Sequence, residues 1–228
     1  MYRDVFDDKR QVEMRNYFLN DLAKLGKIKM YKKNHFIDMH CCSSSFAIVV
    51  KGKIVKSIVS SKGHEKQLYT LRPGEIWGEM NLLGGGSLNY ISRVKEDAQI
   101  SYISKIILDQ VIAKTPSVYE YLVHSMTRKF RIVLLQSANH TFNDARGRIA
   151  EALIRLSACS DKMIIEKDAL MISTIFTQNE LANNIGCSRV TVTRILKQFV
   201  QDQLISIKNK QIIIHDISTL ASYTDPIQ

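Results

Sequence analysis

Arg189 and Arg194 stand five residues apart in SRVTVTRILK, the run from Ser188 to Lys197. Two guanidinium groups on one helix can each reach a base edge in the major groove of DNA, where the planar fork pairs with guanine O6 and N7. Ser188 and Thr191 can bond backbone oxygens of the nucleic acid, and Lys197 adds positive charge to the same face. Val190 can only pack, and a thymine methyl suits it. The N-terminal end of such a helix also offers unpaired N–H groups and a positive dipole end to a phosphate.

The elements that must hold these groups can be read on both sides of them. Thr177 with Glu180 three residues on is a capping box and starts a helix. Leu181, Ala182 and Ile185 supply its apolar face, and Gly186 ends it in the left-handed conformation. Ser188 caps a second helix, residues 188–200, with Val192, Ile195, Leu196 and Phe199 inward. Two helices on so short a glycine turn make a helix-turn-helix. LISIKNKQIIIHD alternates about Lys208-Asn209-Lys210 and predicts a hairpin, a wing on the phosphates. An ordinary helical hairpin with a solvated basic face is the plainer alternative. Cap, glycine turn, paired arginines and wing in that order favour a reader of double-stranded DNA.

Gly186-Cys187-Ser188-Arg189, Thr191-Val192, Arg194-Ile195-Leu196-Lys197 and Leu204-Ile205-Ser206 resemble the DNA-binding end of the CRP/FNR family of bacterial transcription factors. The resemblance implies that Arg189 and Arg194 read bases. A glutamate usually lies between them in the family, and Val190 replaces it here. A cytosine-accepting contact is thereby lost, which implies a more A/T-rich half-site. Upstream, GRIAEALIRL resembles the family's first DNA-domain helix, with Asp144 as its cap and a hinge at 141–144. The implied architecture is α+β: a cyclic-nucleotide-binding-like β-roll over residues 1–115 as effector-sensing domain, a dimerisation helix over 116–141, and a winged helix-turn-helix over 142–228.

From Lys27 to Ser104 short β-rich runs (FAIVV, KIVKSIVS, KQLYTL, AQISYI) are separated by Lys51-Gly52-Lys53, Lys62-Gly63-His64 and Arg72-Pro73-Gly74-Glu75, which predicts an all-β sandwich or roll. VVKGKI, LRPGEIWGEMNLL and AQISYI resemble the family's roll. In its nucleotide-binding members a Gly-Glu pair holds the ribose, and Gly78-Glu79 match it. An Arg-Ser pair holds the cyclic phosphate, and Leu88-Asn89 fall there. Leucine cannot neutralise a phosphate, and burying that charge without a cation is expensive. Arg93 could substitute only if the loop is rebuilt. Base contacts from the long helix fall on Val133 and Leu134, a second departure. The effector pocket so drawn (Gly78, Glu79, Leu88, Asn89, Val133, Leu134) implies a small-molecule effector other than cyclic AMP, or an idle roll on a constitutive DNA-binding regulator.

Ahead of the roll, residues 1–25 read as a helical lead-in with Val12, Tyr17, Phe18 and Leu22 inward. After it, Pro116 opens a long helix. Tyr119, Val123, Met126, Phe130, Val133 and Ser137 follow at alternating steps of four and three, a coiled-coil seam. A second stripe, Leu122, Ile132, Leu134 and Leu135, would pack on the roll. Two stripes suit a helix that serves its own domain and a second copy of the chain.

A formal charge of +10 in 228 residues with 24% charged side chains suits a nucleic-acid partner and salt-dependent binding. No apolar run approaches a membrane span and the start of the chain is polar, so a cytoplasmic protein without a membrane partner is expected. Four cysteines at irregular spacing argue against a disulfide framework. Cys41 and Cys42, with His35 and His40 nearby, make a redox or metal sensor an alternative, although the zinc C-x-x-C spacing is absent and no metal site is assigned. Cys159 and Cys187 read as packing. No nucleophile elbow, P-loop or H-E-x-x-H is present, so no catalytic residue and no enzyme activity are expected. The function drawn from these residues is a homodimeric regulator that reads a pseudo-palindrome and works with RNA polymerase; no cofactor is specified.

Overall fold

The computed structural model describes residues 6–38, 45–85, 90–158, 165–166, 169–172, 177–208 and 211–225. Backbone contacts divide the chain into two units, Val5–Ile132 and Val133–Gln228.

The first unit opens on α1 (Asp8–Asn20), capped by the Asp7 carboxylate, which accepts from the Arg10 amide. Met14 and Phe18, one helical turn apart, are buried against the sheet, and Leu22 follows them into the core from a 3-10 turn (Leu22–Leu25). Val12, expected inward, is 55% exposed because it projects from the side of the helix away from Met14 and Phe18.

Among the described residues six antiparallel strands follow: β1 (Lys27–Tyr31), β2 (Phe36–Ile37), β3 (Ser45–Val59), β4 (Glu65–Leu71), β5 (Ile76–Trp77) and β6 (Ile91–Ser104). Their order is β1-β6-β3-β4, with β2 on β6 and β5 on β3. The runs FAIVV and KIVKSIVS are one strand rather than two. Gly52 between them has φ +86°, the pairing with β6 shifts register around it, and a Cβ there would lie 2.4 Å from the Asp97 carbonyl. Lys51-Gly52-Lys53 is therefore a bulge that bends a long strand, not a turn that ends one. Alternation along β3 sends Phe46 and Ile48 to one apolar cluster and Ala47 and Val49 to another.

Gly78, at φ +93°, caps the short α2 (Glu79–Gly84). After the sheet comes α3 (Lys105–Lys114), capped by Ser104, which the sequence reading had not separated. Pro116 lies in the turn that follows, and the long helix α4 runs Val118–Phe142. Its buried face steps by four and three through Val118, Leu122, Ser125 and Lys129, then Gln136 and Asn139. Of the expected second stripe only Leu122 is buried; Leu134 is 52% exposed. The inward face turns polar along the helix, so an apolar pattern could not locate it.

In the second unit α5 (Ala145–Ala158) starts where Asp144 accepts from the Gly147 amide at 2.8 Å. Then come β7 (Ile165–Glu166), β8 (Ala169–Met171), α6 (Gln178–Ile185), α7 (Arg189–Gln201), β9 (Ile205–Lys208), β10 (Gln211–Ile214) and α8 (Ile217–Ser222). The strands order β7-β8-β10-β9, so the expected hairpin is half of a four-stranded sheet. Ile149, Leu153, Leu181, Ile195, Leu196, Phe199 and Ile214 share one core. Residues 219–225 are part of this unit. Asp216 caps α8, Leu220 is buried, and Tyr223 stacks on Phe199 with ring centroids 5.8 Å apart.

Candidate functional site

Thr177 and Glu180 make both bonds of the capping box, so α6 starts as its sequence dictates. Gly186 sits at φ +74° and its amide returns to the Ala182 carbonyl at 2.8 Å, closing α6 two residues before Ser188 caps α7. The Ser188 hydroxyl accepts from the Thr191 amide at 3.1 Å and lies 2.8 Å from the Thr191 hydroxyl. Val192, Ile195, Leu196 and Phe199 go into the core. That burial turns the opposite face outward: Ser188, Arg189, Val190, Arg194 and Lys197 are exposed and Thr191 is half-buried. Val190 is 78% exposed, an apolar group left in water at the leading end of the helix. Among the described residues no carboxylate pairs with Arg189, Arg194 or Lys197, which leaves their donors available. Thr193 fixes α7 to α6 through Gln178 at 2.7 Å. β9 and β10 pair from Ile205↔Ile214 to Lys208↔Gln211; Asn209 and Lys210, at the expected wing tip, lie outside the described residues.

A buried polar chain that the sequence reading missed holds the first of these helices. Asn139 of α4 donates to Glu151 of α5; Arg155 Nε donates to Glu151 Oε1 at 3.1 Å, and Arg155 Nη2 to Asn184 Oδ1 of α6 at 3.1 Å. Asn143 donates to Asn139 Oδ1 at 2.9 Å and accepts from the Asp225 amide at 2.7 Å. Glu151 and Arg155 in an i, i+4 pair are the only hint in sequence, and such pairs are more often solvated. Cys187 packs beside the same core as a free, half-buried thiol.

The seam residues lie along one face of α4. Tyr119, Val123, Phe130 and Val133 are exposed, with Phe130 at 67%, while Met126 is half-buried and Ser137 exposed. A stripe of large apolar groups in water at heptad spacing is the surface that a second helix would cover.

Inside the roll, Glu79 is 1% exposed and its partner is Lys129 of α4, whose Nζ donates to Glu79 Oε1 and to the Ile76 carbonyl, each at 2.7 Å. Beside them Lys56 of β3, 3% exposed, donates to the Ser92 hydroxyl at 2.6 Å and lies 5.2 Å from the Tyr90 ring centroid and 5.8 Å from that of Trp77. Burial lowers the Lys56 ammonium to about 7; Lys129 pushes the same way and Glu79 opposes. Burial also raises the Tyr69 and Tyr90 phenols, with Glu79 adding to each. Of the expected pocket, Gly78 and Glu79 are here, Leu88 and Asn89 lie outside the described residues, and Val133 and Leu134 are exposed positions on α4. Arg93 does not substitute. Its neighbour Ser92 faces Lys56, so Arg93 points to the other side of the sheet, where it binds Glu65 at 2.6 Å and covers the Phe36 ring. Cys41, Cys42 and His40 lie outside the described residues; among the described ones no three metal-ligating side chains meet, and no helix is long and apolar enough to cross a membrane.

Comparison with known proteins agrees with this geometry. Residues 28–115 match the cyclic nucleotide-binding domain and residues 147–223 the Crp-like helix-turn-helix domain. The cAMP-activated global transcriptional regulator CRP of Salmonella typhimurium is 32% identical over 168 residues, 73% of this chain and 79% of that protein. The CRP-like cAMP-activated regulator of Mycobacterium tuberculosis is 26% identical, over 76% of this chain and 77% of that protein. Among solved structures, a CooA mutant from Carboxydothermus hydrogenoformans superposes with TM-score 0.78 at 18% identity, covering 92% of this chain and 94% of that one. FixK2 from Bradyrhizobium japonicum gives TM-score 0.73 at 16% identity, covering 89% and 99%. With a nucleotide-binding-type roll and a helix-turn-helix whose arginines face water, this chain belongs to the CRP/FNR family of DNA-binding transcription regulators.

Proposed function

We propose that the protein works as a homodimer that places two α7 helices in successive major grooves of a pseudo-palindrome, under control of a small effector other than cyclic AMP. The observation that carries the DNA half is the exposed set Arg189, Val190, Arg194 and Lys197, its cations without a carboxylate partner among the described residues, on a helix whose other face is core. Arg189 and Arg194 reach base edges, Val190 packs on a thymine methyl, and Ser188, Thr191 and Lys197 position the helix on the backbone. Half-sites one helical turn apart then follow from two-fold symmetry.

Exposed Tyr119, Val123, Phe130 and Val133 support the dimer, with Met126 and Ser137 completing the seam. Residues 1–115 sense, 116–141 dimerise and 142–228 read DNA. RNA polymerase is the expected partner of the bound dimer. Two of the relatives above are described as cAMP-activated. Here Leu88 stands where a phosphate-binding arginine is expected, and Glu79 is already held by Lys129. That second fact also favours a rival, a constitutive regulator with an idle roll. Selection of DNA from a random library, with and without cyclic AMP, separates the two from a cyclic-AMP-dependent protein. Our reading predicts an A/T-rich palindrome enriched alike in both arms; enrichment only with cyclic AMP overturns the effector assignment.

A further inference from the structure

Two buried lysines share the inside of the roll with one carboxylate: Lys129 bonds Glu79, and Lys56 lies within its electrostatic reach. Lys129 spends its charge on Glu79 and a second hydrogen on the Ile76 carbonyl. Lys56 is left with the neutral Ser92 hydroxyl and a ring face, and among the described residues no carboxylate bonds to it. A buried ammonium without an anion is costly. Glu79 Oε2, meanwhile, is buried and accepts no hydrogen bond from the described residues. A surplus cation near an unfilled acceptor complements a ligand with one negative charge and one donor.

We propose that Lys56 is the anion-holding residue of the roll, and that the roll takes a hydroxyl-bearing organic monoanion whose charged group sits on Lys56 Nζ and Ser92 Oγ and whose hydroxyl donates to Glu79 Oε2. This rests on the reading of the roll as an effector domain. It also relocates the missing cation: the family's loop position holds Leu88, and β3 supplies a lysine instead. The rings of Tyr69 and Tyr90 give the site an aromatic lining. A carboxylate and a cyclic phosphate both carry this chemistry.

The test melts and titrates the full chain and its Lys56→Met variant, alone and with 4-hydroxybenzoate, benzoate or cyclic AMP. Without ligand the variant should melt higher, because a surplus buried cation is gone. One hydroxyl-bearing probe should stabilise the wild type and bind it at least about tenfold tighter than the variant, with benzoate weaker than 4-hydroxybenzoate. Binding of 4-hydroxybenzoate through Lys56 marks a carboxylate ligand; binding of cyclic AMP through Lys56 upholds the lysine as anion holder and overturns the exclusion of cyclic AMP in the proposed function. A variant that melts lower makes Lys56 a structural group and overturns the proposal. So do probes that act equally on both proteins or on neither. A probe that binds through Lys56 but leaves DNA affinity unchanged upholds the site and removes the roll's control of DNA instead.

Discussion

At the residue scale the two arginines of α7 have different neighbours and the same availability. Arg189 opens the helix and Arg194 lies one and a half turns on, both in water. Arg189→Ala and Arg194→Ala should each cost about 1–3 kcal/mol at the base pair read and relax specificity there, while Lys197→Ala should weaken all sequences alike. Gel-shift titration against single-base operator variants checks both. Deeper in the chain, Glu151 is held by Asn139 and Arg155, and Arg155 by Asn184. Glu151→Ala strands the buried Arg155 charge and should destabilise the second unit by about 3–5 kcal/mol in denaturant unfolding. Lys56 gives a pH signature. Its ammonium is lowered from 10.5 to about 7 in the fold, by burial first, then by Lys129, against Glu79. Tyr69 and Tyr90 also face the cluster; burial raises both phenols above their ordinary value of 10.0, so the Lys56 signature is read below pH 10. Below pH 7 both folded and unfolded states hold the Lys56 proton and the penalty is complete. Between 7 and 10.5 only the unfolded state holds it, so stability rises with pH. Melting across that window should show a rise in the wild type that Lys56→Met lacks.

At the scale of elements, the local signals that proved legible were those with short-range causes. Thr177, Gly186, Ser188 and Asp144 each set a helix end within four residues of themselves, and the structure puts each at that end. What escaped was set by distant partners. Gly52 was read as a turn because nothing local says that β6 stays paired across it. α8 has one deeply buried apolar residue, Leu220, and owes its place to packing on the core of the second unit. The inward face of α4 is polar at Ser125, Lys129, Gln136 and Asn139, so hydrophobic spacing pointed to Leu134 and Leu135 instead. The outward apolar stripe was legible because it repeats at heptad spacing, and its pairing with a second chain is the proposal. Phe130→Glu, at its most exposed large residue, should convert a dimer to a monomer in sedimentation and weaken operator binding without lowering the melting temperature of the monomer's core.

For the whole molecule, the fold and the exposed basic face of α7 followed from sequence, whereas the interior chemistry of the roll did not. Glu79 was placed by its Gly-Glu pair, but Lys56 and Lys129 carry no motif. They come from β3 and α4; Lys129 bonds Glu79 and Lys56 comes within its electrostatic reach only when the roll has closed. The two proposed functions differ in legibility: the residues assigned to reading DNA are contiguous, whereas those assigned to the effector are gathered by topology. The charge of +10 adds a sequence-independent attraction to DNA, so bare affinity is a poor test of reading. The most direct measurement is the ratio of affinities for the selected palindrome and a scrambled duplex of equal length, at physiological salt, for wild type and the Arg189→Ala, Arg194→Ala double variant. The account predicts a ratio of about a thousandfold or more for the wild type, collapsing in the double variant while scrambled-site affinity falls little. Equal wild-type affinity for both duplexes would contradict it.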